Sequence, residues 1–62
     1  MNIANPLPAV GARVRMISEN SNWSLGEKGT VIAVTLDRFG VVFDGREDDY
    51  TVFAADCEVV VA

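Results

Sequence analysis

The chain has 62 residues, half of them hydrophobic, and a formal net charge of −4. One domain is the ceiling, and a domain this small buries only ~60% of the surface its unfolded chain exposes, which leaves little room for a walled catalytic cleft beside a core. One cysteine and no histidine exclude an intramolecular disulfide and the usual zinc ligand sets.

The charge is uneven along the chain. Residues 1–35 carry Arg13, Arg15 and Lys28 against Glu19 and Glu27, whereas residues 36–62 carry two arginines against seven carboxylates. An acidic protein repels polyphosphates at long range. The N-terminus MNIANPLPAV lacks the basic n-region of a signal peptide, and prolines interrupt its apolar residues. No run approaches the ~20 apolar residues of a membrane helix. The sequence therefore predicts a cytoplasmic protein with no membrane contact, and a lone free thiol suits a reducing compartment. Asn22-Trp23-Ser24 matches the glycosylation acceptor pattern, which is read as chance without a secretion signal.

Residues 1–9 read as an extended tail, because Pro6 and Pro8 fix their backbone and donate to no ladder. From residue 10 to 62 no helical period is sustained, and apolar residues come in short runs punctuated by Gly and Asp. ARVRMI predicts a first strand with Val14 and Met16 inward and Arg13 and Arg15 outward. A long polar loop around Trp23 follows. Thr30–Leu36 is the second strand, Asp37-Arg38-Phe39-Gly40 a turn, and Val41–Phe43 the third strand. Asp44-Gly45 is the strongest turn signal in the chain. Asp49–Phe53 is the fourth strand, AADC a single 3₁₀ turn, and Glu58–Val61 the fifth strand.

Five short strands joined by hairpins predict an all-β fold, a small five-stranded barrel whose closure removes most exposed edges. A long first loop, tight hairpins and one 3₁₀ turn before the last strand form the layout of SH3-like barrels. The residues that carry the likeness are VGARVRM, GEKGTVIAV and GVVFDG. On them the chain resembles KOW-type SH3-like domains, with Gly11, Val14, Gly29, Val31 and Val34 at the pattern positions. RVRMISENSNWSLGEKGTVIAV is also similar to the small SH3-like barrel protein of photosystem I, and GTVIAV with GVVFDG to Mind-bomb-type SH3-like repeats. These resemblances imply a fold more than a function, since such barrels serve in ribosomes, transcription factors, photosystems and peptide readers alike.

Leu25–Val34, LGEKGTVIAV, poses the question of a phosphate loop. A Walker-type loop needs four residues between its glycines, Lys after the second glycine, and a helix to follow. Here the spacing is G-x-x-G, Lys28 precedes Gly29, and a strand follows. A GxxG clamp of the KH type joins two helices, and none is expected. The stretch is read as a turn in which Gly26 or Gly29 takes positive φ.

Trp23 and Tyr50 are candidates for a surface binding face, since aromatic anchors carry much of the energy at interfaces. The competing reading of Trp23 is core, and the core reading is preferred for Phe43 and Phe53, although alternation sets Phe53 with Thr51, opposite Tyr50 and Val52. DGREDDY, residues 44–50, admits a site for a basic partner built on Asp44, Asp48 and Asp49 beside Tyr50. Its plainer reading is a solvated hairpin tip. Arg13, Arg15 and Lys28 form the alternative, a basic strip for nucleic acid, against simple ion pairing with nearby carboxylates. Cys57 has no histidine to activate it and reads as a buried, inert thiol. EVVV at residues 58–61 is apolar on both faces and suggests weak self-association through the last strand. The expectation is a non-enzymatic protein-interaction module or accessory subunit without cofactor or metal.

Overall fold

The computed structural model describes residues 8–60. The predicted tail therefore lies outside the described residues up to residue 7, as does Val61. Five strands form one antiparallel sheet: β1 Arg13–Met16, β2 Lys28–Val34, β3 Arg38–Phe43, β4 Asp49–Phe53 and β5 Cys57–Val59. Their order is β4-β3-β2-β1-β5. A single 3₁₀ turn, Ala54–Asp56, leads into β5. Among the described residues no helix is long and apolar enough to cross a membrane. The hydrogen-bonded sheet does not close: β4 and β5 are its two edges, where the sequence led us to expect a barrel.

Strand alternation sorts the side chains onto two faces. Val14, Met16, Val31, Phe39, Val41, Phe43 and Val52 are almost wholly buried on one face. Trp23 from the long loop and Cys57 from β5 complete this core. Arg13, Arg15 and Lys28 lie on the other, outer face, as their pairing with Thr30, Glu58 and each other requires.

Two expectations need correction. The turn expected at Asp37–Gly40 sits earlier. The Thr35 amide donates to the Arg38 carbonyl across 2.9 Å, and the strand resumes at Arg38 because Phe39, only 2% exposed, must reach the core. Phe53, expected inside, is 45% exposed, since it shares a face with Thr51 and pairs with Arg38 rather than with a core residue. The β2 pattern is not a simple alternation either. A register shift between Val31 and Ala33 inserts Ile32, so Ile32 and Ala33 both lie over Gly40 on the outer face. Such a bulge turns an apolar side chain outward without ending the strand.

Two glycines explain the entry into β2. Gly26 has φ +87° and Gly29 does not have positive φ, so the left-handed turn belongs to Gly26 alone. Gly29 is required for another reason: a Cβ there would stand 2.6 Å from Val41 Cγ1 and 2.7 Å from the Val42 carbonyl oxygen. The phosphate-loop reading has no support, because Lys28 and Gly29 already belong to β2.

Candidate functional site

The long loop between β1 and β2 is ordered by its own polar groups. The Asn20 carboxamide oxygen accepts from the Asn22 and Trp23 amides at 2.7 and 3.0 Å, an Asx-type turn. The Glu27 carboxylate accepts from the Ser24 amide at 3.0 Å, and the Gly26 amide donates to the Met16 carbonyl at 2.8 Å. This scaffold delivers Trp23 inward. Its side chain is 6% exposed, with its ring 5.8 Å from that of Phe43 and tilted by 44°. Tyr50 flanks Phe43 on another side, also at 5.8 Å, and is half-buried. Trp23 and Tyr50 are thus brought together through Phe43, but Trp23 is core and offers no surface anchor. Its indole Nε1 is buried and lacks a hydrogen-bond partner among the described residues.

The cation site that the aromatics and carboxylates suggested is filled from within. The Arg46 guanidinium lies 5.1 Å from the Phe43 ring centre and 5.6 Å from that of Tyr50. It also donates to the Asn22 carbonyl and to Glu27, each at 2.7 Å. One arginine therefore pins the 44–48 loop to the Trp23 loop. Sequence reasoning passed over Arg46. The available signal was its position immediately after the Asp-Gly turn.

The acidic residues separate. Asp44 accepts two hydrogen bonds from Arg13, at 2.7 and 2.5 Å, on the outer face. Those hydrogen bonds first, with the charges of Arg13 and Lys28 adding to them, hold the Asp44 carboxyl below the usual carboxylate range, and they raise Arg13 in turn. Asp49 lies on the outer face of β4, opposite Val42 and beside Gly40. Tyr50 points to the core side. Asp48 stands exposed in the loop between them. The predicted group of Trp23, Tyr50, Asp44, Asp48 and Asp49 thus spans two faces of the sheet and does not form one pocket.

The basic strip is occupied in the same way. Arg13 pairs with Asp44 and Arg15 with Glu58. Arg38 pairs with Asp37 and Arg46 with Glu27. Every arginine is engaged, and the net charge of −4 resides in Lys28 against Glu19, Glu47, Asp48, Asp49 and Asp56. Three of those five carboxylates are consecutive, at residues 47–49, and all three are exposed. Among the described residues no group of three or more His, Cys, Asp or Glu side chains is placed to hold a metal ion. Cys57 is buried, and burial, with a smaller push from Asp56, raises its thiol to about 11. A thiol so protonated is a poor nucleophile at neutral pH.

Compared with known proteins, the chain matches no family model, no curated protein and no solved structure.

Proposed function

We propose that the chain is a non-enzymatic protein-interaction module or accessory subunit that takes a basic partner segment along residues 47–49, where the loop enters β4. The observation that carries this reading is the charge distribution. All four arginines are paired within the chain, while Glu47, Asp48 and Asp49 have no ion pair among the described residues. Their repulsion is relieved by a cationic partner, which would meet the exposed carboxylates and not the Tyr50 ring, since Arg46 already covers that ring.

The reading includes an SH3-like barrel in the cytoplasm. Seven side chains on one face of a single sheet are almost fully buried without a second sheet or an α-helix among the described residues. A five-stranded sheet does this by curling around its own core. The lone buried thiol suits a reducing compartment. The nucleic-acid reading through Arg13, Arg15 and Lys28 draws less support, since both arginines already hold carboxylates.

The test uses an oligolysine peptide as the probe, titrated into isotope-labelled protein. Shifts concentrated at residues 46–50, weakening as salt is added, are expected. They should vanish in the double variant Glu47→Gln, Asp48→Asn, whose fold is checked by its spectrum. Undiminished binding in that variant overturns the proposed face. Binding of duplex DNA in preference to the peptide would favour the basic strip instead.

A further inference from the structure

Among the described residues nothing pairs with the outer side of the edge strand β4, and its outer face is self-complementary. The ladder alternation of antiparallel sheets fixes which backbone groups are free. The Asp44 amide bonds to the Lys28 carbonyl and the Thr35 amide to that of Arg38. Even-numbered residues of β3 therefore point their N–H and C=O groups at β2, and odd-numbered ones point at β4. Phe39 and Val41 face Val52 and Tyr50 in that register, so the backbone groups of Tyr50 and Val52 are used inside the sheet. Those of Asp49, Thr51 and Phe53 point away from it. The side chains of the same three residues lie together on the outer face.

An edge of this kind templates another strand. Natural sheets guard such edges with charged side chains, lysine above all, with proline or with a bulge; Asp49–Phe53 contains neither lysine nor proline, and its one charge is Asp49. The register shift of this sheet falls between β2 and β3 instead.

We propose that β4 pairs with β4 of a second copy of this chain, antiparallel and centred on Thr51, to give a continuous ten-stranded sheet across a two-fold axis. This register keeps outer face on outer face: Thr51 meets its own copy, and Asp49 of each chain lies opposite Phe53 of the other. It also matches charge. The Arg38 guanidinium rests 4.9 Å from the Phe53 ring centre and uses only its Nε, toward Asp37 at 3.1 Å. Its terminal nitrogens have no partner among the described residues and lean over the strand that faces Asp49 of the second copy. Asp49 has no ion pair of its own among the described residues. Two Arg38–Asp49 pairs close the dimer symmetrically, as an isologous contact demands. This places self-association at β4, whereas the valine-rich end of the chain pointed to β5, a strand of three residues. The inference shares Asp49 with the basic-partner reading but does not rest on it: that reading is tested at Glu47 and Asp48, this one at Arg38, Asp49 and Thr51.

Sedimentation of the 6.7 kDa chain over a concentration series tests it. A single edge strand is a small contact, below the ~1,200 Å² of stable interfaces, so a concentration-dependent rise toward twice the mass is expected. Thr51→Pro removes one outward N–H and none that faces β3, a placement edge strands tolerate. It should hold the mass at one chain. Arg38→Asp and Asp49→Arg should each stay monomeric alone, and their mixture should dimerise, since one ion pair re-forms as in the wild type and the other with reversed sign. These two variants change exposed side chains only and keep the test valid if the proline variant unfolds. The proposal is overturned if the wild-type chain stays monomeric at roughly millimolar concentration, the weak end of specific binding. It is equally overturned if a dimer survives both charge reversals, or if the mixed variants behave like each alone.

Discussion

Arg46 and Glu27 meet across 2.7 Å, joining the loop before β2 to the loop before β4. The same guanidinium covers Phe43 and Tyr50 and takes the Asn22 carbonyl as a further acceptor. Among the described residues it is the one side chain that ties both loops and the aromatic row together. Arg46→Ala is expected to destabilise the fold by roughly 1–2 kcal/mol, the scale of a charged hydrogen bond and a cation–π contact that are both partly solvated. Arg46→Lys keeps the charge but loses the planar fork, so it should fall between the two. Urea unfolding followed by Trp23 fluorescence measures both. Equal stability of all three proteins would show that the two loops hold without the arginine.

Trp23 is the largest side chain of the core cluster. Truncating a buried aromatic costs about 3–5 kcal/mol, a large part of the 5–15 kcal/mol that ordinary domains possess. Trp23→Ala should therefore leave the chain largely unfolded by far-ultraviolet circular dichroism. Trp23→Phe should cost much less, because it keeps an aromatic against Phe43 and removes an indole N–H that is buried without a partner. A binding assay on Trp23→Ala would report loss of fold, so a surface role for this residue has to be tested through Tyr50 or the acidic loop.

The placement of Trp23 marks the limit of what could be read from the chain. β4 was legible at both ends, and the inward set of Val14, Met16 and Phe43 followed from alternation alone, because period-two patterning is a local property. Phe53 reads as core on its size, although alternation sets it with Thr51; which face of β4 is buried is decided by β3, where Arg38 stands opposite Phe53. The bulge at Ile32 was invisible for a similar reason: an extra residue in one strand is defined only against its partner. At the candidate site, Asp44, Asp48 and Asp49 are close in sequence, yet strand and turn geometry distribute them between the outer face and the loop. Ion pairs across 31 and 43 residues, Arg13–Asp44 and Arg15–Glu58, lie beyond any local pattern.

Gly29 separates two explanations of the GEKGTV motif. If the glycine served only a turn, alanine at that position would be strained by φ, yet Gly29 does not have positive φ. The obstacle is space: the added Cβ meets Val41 Cγ1 at 2.6 Å and the Val42 carbonyl oxygen at 2.7 Å. Neither gives way freely: the carbonyl belongs to the ladder, and Val41 is packed in the core without exposure. Gly29→Ala is expected to cost about 1–3 kcal/mol, as overpacking does. Gly26→Ala, with open space around it but φ +87°, should cost about 1–2 kcal/mol through backbone strain alone. Trimming the obstacle should distinguish them, since Val41→Ala ought to soften the effect of Gly29→Ala and leave that of Gly26→Ala unchanged. Additive behaviour at Gly29 and Val41 would argue against the contact.

Asp44 gives the fold an acid dependence of known sign. Its carboxyl is held below the ordinary value by the hydrogen bonds from Arg13, with the Arg13 and Lys28 charges adding to them. A carboxylate depressed in the folded state binds fewer protons there than in the unfolded chain, so its contribution is complete above the unfolded value of about 3.9. It is lost as pH falls through the lower folded value. Both partners are exposed, so the pair's contribution is small and screened by salt. Asp44→Asn should therefore match the wild type in its fall of stability down to pH ~4, offset by a constant amount, and converge on it below. Arg13→Gln should do the same, and the double variant should lose no more than either single one. A wild-type curve parallel to that of Asp44→Asn throughout acid would mean that Asp44 titrates normally and that the Arg13 contact contributes nothing to folding.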